Sequence, residues 1–299
     1  MEKPDNVKEN LFARIQAIQA LHIPTEDLNP SAGSEAKLSG DLDPLLGSTD
    51  EVSNSGKDEE WVVADESNPE GIISENDFES DTRLFESILS KEKIDLKVLK
   101  SLVTKKNVPL AYRGLIWKLL LGYLPPTPSE WTKTLLPLRT RYFEKKKKFM
   151  EEISHFDTWD GLRRKLYGEI KVDIPRTYLN GFKALCKDPA VTPIVTRVLY
   201  IWSSENTISY YQGMCELVYM LLVTFIGEHP LAKGRIQSFL TLNLNDIEPE
   251  FYNNVEADVF YSFDALMNCF KSVFTEDIMQ GTYELTTEIS NILQVCSRK

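Results

Sequence analysis

Between Pro24 and Thr82 the chain carries seventeen Asp or Glu, two Lys and few large apolar side chains. A stretch like this cannot bury enough surface to offset the entropy of ordering it. Any packed body must therefore come mainly from the rest of the chain. The overall net charge of −11 conceals this division, because 24–82 alone carries −15, residues 1–23 balance, and Arg83 to Lys299 is left near +4. Three regions are expected: a short amphipathic helix within 1–23, a disordered acidic linker over 24–82, and a folded domain over 83–299.

In 1–23, Asn6 is placed to cap a helix with Val7, Leu11, Ile15, Ile18 and Leu21 on one face, ending before Pro24. Its polar face is not basic, so docking on the chain's own domain is favoured over a membrane surface or a partner. Inside the linker, Asp58-Glu59-Glu60-Trp61-Val62-Val63 sets an acidic run beside an aromatic. The string has the form of a short peptide ligand, the one feature pointing to a peptide-type partner, though chance accounts for it as well.

From Arg83 onward the apolar spacing is helical. Asp95 is expected to cap a helix with Leu96, Leu99, Leu102 and Val103 facing inward. A second helix runs from about Ala111 to Leu121, ended by Gly122 and Pro125-Pro126. A third runs from Ser129 to Ile153 with an interruption at Pro137, and its Lys145 to Lys148 run reads as a solvated face. Asp188-Pro189 opens another helix that continues to Trp202, and further helices fit Gln212–Ile226, Val255–Phe270 and Asp277–Val295. No alternating strand pattern and no internal repeat is present, so the fold class is all-α.

Composition excludes several kinds of chemistry. Cys186, Cys215, Cys269 and Cys296 are far apart and form no Cys-x-x-Cys, which points to free thiols in a reducing compartment. His22, His155 and His229 are scattered, with neither metal-ligand spacing nor a His-based triad. No dense Lys/Arg patch suits a phosphate backbone, so nucleic acid is not an expected partner. The longest apolar run, Leu217 to Ile226, is too short to span a bilayer. The expectation is a cytoplasmic protein whose recruitment to membranes, if any, is through partners.

Two strings remain. Ile170 to Thr177 reads Ile-Lys-Val-Asp-Ile-Pro-Arg-Thr, with Pro175 pushing Ile174 out of helical geometry. Asp173 and Arg176 are close enough for the carboxylate to steer the guanidinium; by spacing alone this is an ordinary loop salt bridge more often than a catalytic pair. Tyr210 to Met214 reads Tyr-Tyr-Gln-Gly-Met after a polar loop. Gly213 permits a sharp turn or a close approach, leaving Gln212 at the mouth of an apolar helix. Alone, this string is a helix start.

Together the strings Ile-x-x-Asp-x-x-Arg-Thr and Tyr-x-Gln-Gly-Met resemble two signatures of the TBC domain, the Rab GTPase-activating family. Arg113 and Trp117 match a third, Arg-x-x-x-Trp, in the expected order. Leu120 to Pro125 and Glu256-Ala257-Asp258-Val259-Phe260 are also similar to family sequences, so the resemblance covers roughly Leu102 to Lys299. Cys215 stands where the family often has Asn. The resemblance implies a right-angled all-helical body that acts in trans on a Rab-family small GTPase in membrane trafficking. It implies no cofactor of its own, since GTP and Mg²⁺ would be held by the partner.

In those terms Arg176 would be an arginine finger and Gln212 a glutamine finger. Asp173, Thr177, Tyr210 and Gly213 would shape their loops, and Arg113 and Trp117 would brace them. A planar, always-charged guanidinium suits the charge that develops around the γ-phosphate. An amide that donates and accepts at once suits an attacking water. The alternative is a catalytically weak or inactive TBC-like scaffold that binds a Rab without accelerating it. Such domains usually continue beyond the point matching Lys299, so the domain is expected to be incomplete at its C-terminus. Apolar residues near Phe260, Leu266 and Ile292 would then lack partners.

Overall fold

A computed structural model describes residues 4–21, 23, 75–232 and 246–270. The linker residues 24–74 with their Asp58–Val63 string, His22, Cys296, Ile292 and the helix expected over Asp277–Val295 lie outside the described residues. Among the described residues every regular element is helical. In chain order the helices are α1 (Pro4–Gln19), α2 (Glu75–Leu89), α3 (Leu96–Val103), α4 (Leu110–Leu120), α5 (Trp131–Ile153), α6 (Gly161–Asp173), α7 (Lys183–Cys186), α8 (Val191–Glu205), α9 (Met214–Ile226) and α10 (Pro249–Cys269).

Local signals explain many of the boundaries. Asp95 caps α3 as its sequence suggests, accepting from the amides of Lys97 at 2.9 Å and Val98 at 3.2 Å. Gly122 follows α4 at φ +74°, a left-handed turn that suits glycine. Other signals mislead. α1 begins at Pro4, two residues ahead of the Asn6 cap. α2 begins at Glu75, inside the segment expected to be disordered and ahead of Arg83. α8 begins at Val191, with Asp188 accepting from the Ala190 amide at 2.8 Å, and runs past Trp202 to Glu205.

α5 shows no interruption at Pro137, which lies inside one continuous helix. Proline removes one backbone hydrogen bond there. The helix nevertheless buries Trp131 and Leu135 before Pro137 and Arg139, Tyr142 and Phe143 after it. Burial on both sides keeps the helix continuous through it. Nor is Lys145 to Lys148 a wholly solvated face, because Lys146 is buried.

The apolar side chains form two cores. The smaller gathers α1 to α4 and the first turns of α5 around Phe85, Leu99, Leu115, Leu119 and Trp131. The larger gathers the rest of α5 with α6, α8, α9 and α10, around Val198, Trp202, Tyr219, Phe225 and Phe263. Tyr261 packs against both and stacks on Tyr123 with centroids 5.7 Å apart. Phe260, expected to lack partners, is 5% exposed and packs on Tyr142.

α1 docks on the body, as its non-basic polar face favours. Leu11, Ile15 and Ile18 are buried in the smaller core. The carbonyls ending the helix are capped from the body. Arg139 Nη1 donates to Ile18 O at 2.5 Å, and Asn254 Nδ2 donates to Gln19 O at 2.8 Å and Leu21 O at 3.2 Å.

Two carboxylates of α10 tie the cores together. Glu256 accepts from Arg197 Nε and Nη2 at 2.7 and 2.9 Å, from Lys146 Nζ at 2.9 Å and from Tyr142 OH at 2.8 Å. Asp258 accepts from Arg139 Nε and Nη2 at 2.8 and 2.9 Å and from Tyr123 OH at 2.8 Å, with Lys118 Nζ 2.9 Å away. Lys118 also donates to Glu228 at 2.8 Å. Glu228 lies against α4 where a Cβ on Gly114 would come within 2.3 Å of Oε1, so a side chain there would force Glu228 to move.

Candidate functional site

α6 starts under an Asp160 cap, whose side chain accepts from the Arg163 amide at 2.9 Å. It ends at Asp173, where Ile174–Arg176 tightens into a single 3₁₀ turn with Pro175 inside. Ile174 keeps helical angles, φ −53° and ψ −50°, so Pro175 does not push it out of helical geometry as its position suggests. Thr177 closes that turn. Its amide and its hydroxyl both donate to Asp173 O, at 3.0 and 2.9 Å. The chain then leaves in an extended conformation, with Arg176 on the outer side of the bend and Asp173 on the inner.

Asp173 is the pivot. Its side chain is 11% exposed, and its two oxygens are divided between two donors. Oδ1 accepts from Arg176 Nη2 at 2.7 Å, and Oδ2 accepts from Tyr210 OH at 2.9 Å. Burial first, and then the bond to Asp173, push the Tyr210 phenol far above its ordinary range, so it stays a neutral donor. The two motif strings, far apart in sequence, are thus joined through one carboxylate.

Arg176 is held but not consumed. Nε donates to Val172 O at 3.0 Å and Nη2 to Asp173, while the side chain remains 65% exposed. A guanidinium carries five N–H donors in a fixed plane, so these two bonds aim it and leave donors facing outward.

The opposite wall is the entry to α9. Gly213 adopts φ +103°, a left-handed conformation costly for a side chain, and lets the chain turn straight into the helix. The helix starts at Met214, two residues later than the Gln212 start read from sequence. Gln212 therefore sits exposed just outside the helix, before the turn.

These pieces enclose a polar groove of about 690 Å³ lined by Asp173, Arg176, Thr177, Gln212 and Gly213. Tyr178, Leu179, Asn180 and Glu216 complete the lining. The sequence reading did not single these out. Two signals were available: 178–180 directly follow the first string, and Glu216 lies only four residues beyond Gln212. Arg113 and Trp117 are not among the lining residues. Arg113 is exposed on α4 with Nη2 donating to Val108 O at 3.3 Å, and Trp117 packs against the larger core.

Burial pushes Cys215 up to about 12 and Cys186 also upward, so both stay protonated. Among the described residues no cluster of His, Cys, Asp or Glu could hold a metal, and no helix is long and apolar enough to cross a membrane.

The chain is 31% identical over 193 residues to TBC1 domain family member 22A of Macaca fascicularis, covering 64% of this chain and 36% of that protein. It is 31% identical over 200 residues to human TBC1 domain family member 22B, covering 65% and 36%. Against GTPase-activating protein gyp1 of Schizosaccharomyces pombe it is 27% identical over 198 residues, covering 66% and 37%. The chain thus spans little more than a third of the length of these relatives. The crystal structure of the Ypt/Rab-GAP domain of Gyp1p shares the fold, with a TM-score of 0.61 and 22% identity over 72% of this chain and 64% of that one. Residues 110–296 match the family described as the Rab-GTPase-TBC domain, and the chain belongs to that family.

Proposed function

We propose that this chain accelerates GTP hydrolysis by a Rab-family small GTPase, with Arg176 and Gln212 entering the partner's nucleotide site together. One observation carries the reading: Arg176 and Gln212 line the same groove, and Arg176 is largely exposed yet aimed by a buried carboxylate. A guanidinium with open N–H donors can neutralise charge on the oxygens around the γ-phosphate. Supplied in trans, such a group is worth about 10³–10⁵ in rate, or roughly 4–7 kcal/mol of barrier. Gln212 would orient the attacking water, a role that otherwise falls to the partner's own switch glutamine. GTP and Mg²⁺ would belong to the partner. Asp173, Thr177, Tyr210 and Gly213 hold the geometry and touch no reacting atom.

The test is single-turnover GTP hydrolysis over a panel of Rabs, with the chain and its Arg176→Ala, Arg176→Lys and Gln212→Ala variants. Arg176→Ala should lower stimulation at least about a hundredfold without unfolding the chain, because a finger acts on the transition state. Arg176→Lys should fail too, since an ammonium cannot span two oxygens in one plane. A Rab lacking its switch glutamine should still respond to the unmodified chain and not to Gln212→Ala. If stimulation survives Arg176→Ala within a few-fold, Arg176 is a loop salt bridge. If a Rab binds but its hydrolysis is not accelerated, the chain is a scaffold.

A further inference from the structure

A second open pocket, of about 520 Å³, lies between α5, α6 and the last turns of α8, and shares no lining residue with the finger groove. Lys145 and Lys148 line it from α5, and Leu162, Arg163 and Lys165 from α6, over buried Phe149 and Tyr200. Three carboxylates, Glu152, Glu169 and Glu205, line it as well. Glu205 holds Lys145 at 2.5 Å, but the other pairs are loose. Lys148 lies 3.8 Å and Arg163 3.7 Å from Glu152, and Lys165 lies 3.8 Å from Glu169. In each loose pair the cation is the more exposed partner, most of all Lys148 at 77% against 30% for Glu152. An incoming molecule therefore meets positive charge first. Among these cations stands Leu162, which at 81% is the most exposed large apolar side chain among the described residues.

We propose that this pocket docks on an anionic membrane surface, with Lys148, Arg163 and Lys165 on lipid phosphates and Leu162 entering the boundary between headgroups and acyl chains. The inference stands apart from the activator reading. Two features select a membrane over a protein. Protein interfaces centre on packed anchor residues and are depleted in lysine. Here a single aliphatic side chain protrudes among cations, and the aromatic rings beneath it are buried. Clustered lysine and arginine are what an acidic leaflet attracts, and an inserted apolar side chain adds burial that charge alone does not supply. The net charge of −11 does not oppose this locally, because it resides in 24–82 and leaves Arg83 to Lys299 near +4. Leu162 also stands eleven residues before Asp173 on α6, about 16 Å along the helix, so the inserted side chain is well separated from the fingers.

The test is flotation of the full chain with phosphatidylcholine vesicles, with and without phosphatidylserine, reading the lipid concentration that binds half the protein. The chain should bind the phosphatidylserine vesicles only, and less tightly as salt rises. Lys148→Glu with Lys165→Glu should raise the half-binding concentration at least about tenfold. Leu162→Ser should raise it about fivefold while keeping the salt dependence, which separates the apolar part from the electrostatic part. Lys97→Glu with Lys100→Glu makes the same charge change at exposed positions of α3, by the smaller core, and should move it by less than about twofold. All these side chains are exposed, so circular dichroism should show unmodified melting. Docking is refuted if the unmodified chain leaves phosphatidylserine vesicles unbound, including the case in which an acidic peptide or soluble glycerophosphoserine binds at Lys148 and Lys165 instead. Equal losses for the α3 pair and the pocket pair, or unchanged binding by Leu162→Ser, overturn it too.

Discussion

Arg139 and Arg176 each donate to an aspartate within 2.9 Å, in surroundings that share little else. Arg139 is sealed between the cores. Its Nε and Nη2 bind Asp258, and its Nη1 binds the end of α1. Arg176 gives one N–H to Asp173 and one to a backbone carbonyl and faces solvent with the rest. Burying ions costs several kcal/mol each, and the cost is offset only where nearly every donor and acceptor is matched. The saturated pair fixes α1, α4, α5 and α10 against one another. The half-engaged pair is directed without being used up, which is what a group acting on another molecule requires.

The sharpest way to break this comparison is to make one substitution at both aspartates. Asp258→Asn removes the charge facing Arg139 and Lys118 together, 2.8 and 2.9 Å away. Buried Arg139 is left with a neutral amide and Lys118 with Glu228 alone, and the expected cost is about 3–5 kcal/mol, enough to unfold a marginal domain. Urea denaturation of the purified variant measures it. A loss under about 1 kcal/mol would mean that the buried network is not what joins the two cores.

A gentler perturbation is acid. Burial alone would raise both α10 carboxyls, but Arg197 and Lys146 outweigh it at Glu256, and Arg139 and Lys118 outweigh it at Asp258. Both carboxyls therefore sit near 2, against ordinary values of 4.5 and 3.8. Groups whose folded values are depressed bind fewer protons folded than unfolded. Their contribution is fully present above the unfolded values and is lost as pH falls from about 4.5 toward 2. Each is worth on the order of 2–3 kcal/mol. Denaturation midpoints across that window should fall steeply, and a flat profile would count against the pairs.

The sequence marks the all-helical class clearly, because helical apolar spacing and caps such as Asp95 are local signals. It also marks the groove, because Asp173, Arg176, Gln212 and Gly213 fall in two recognisable strings. The buried network is harder to see. Lys146 looks solvated by charge, yet it falls on the same helical stripe as Arg139, Tyr142 and Phe149, which are buried. Periodicity placed it inward and charge placed it outward; Glu256, more than a hundred residues away, decided between them. Pro137 misleads for a related reason, since the burial that keeps α5 continuous depends on helices remote in sequence. Tyr178 carries only a weak signal, its place directly after the first string, because exposure beside a groove exists only once the chain is folded.

The smallest expected effect is the second half of the same experiment, Asp173→Asn. The amide keeps an oxygen that can accept from Arg176 Nη2. Its NH₂ can donate to the Tyr210 hydroxyl, which needs only to rotate from donor to acceptor. No hydrogen bond has to be lost, and the one cation facing the site is already 65% solvated. The charge removed is therefore worth little to folding, about 1 kcal/mol or less. The consequence for activity differs, because a neutral amide attracts the guanidinium less and leaves it free to swing. Single-turnover hydrolysis should then slow by about tenfold, well short of the loss in Arg176→Ala, with half-saturation nearly unchanged. Equal destabilisation at Asp173 and Asp258 would show that the two pairs are the same kind of object. A loss of activity as deep as that of Arg176→Ala would show that Asp173 does more than aim its neighbour.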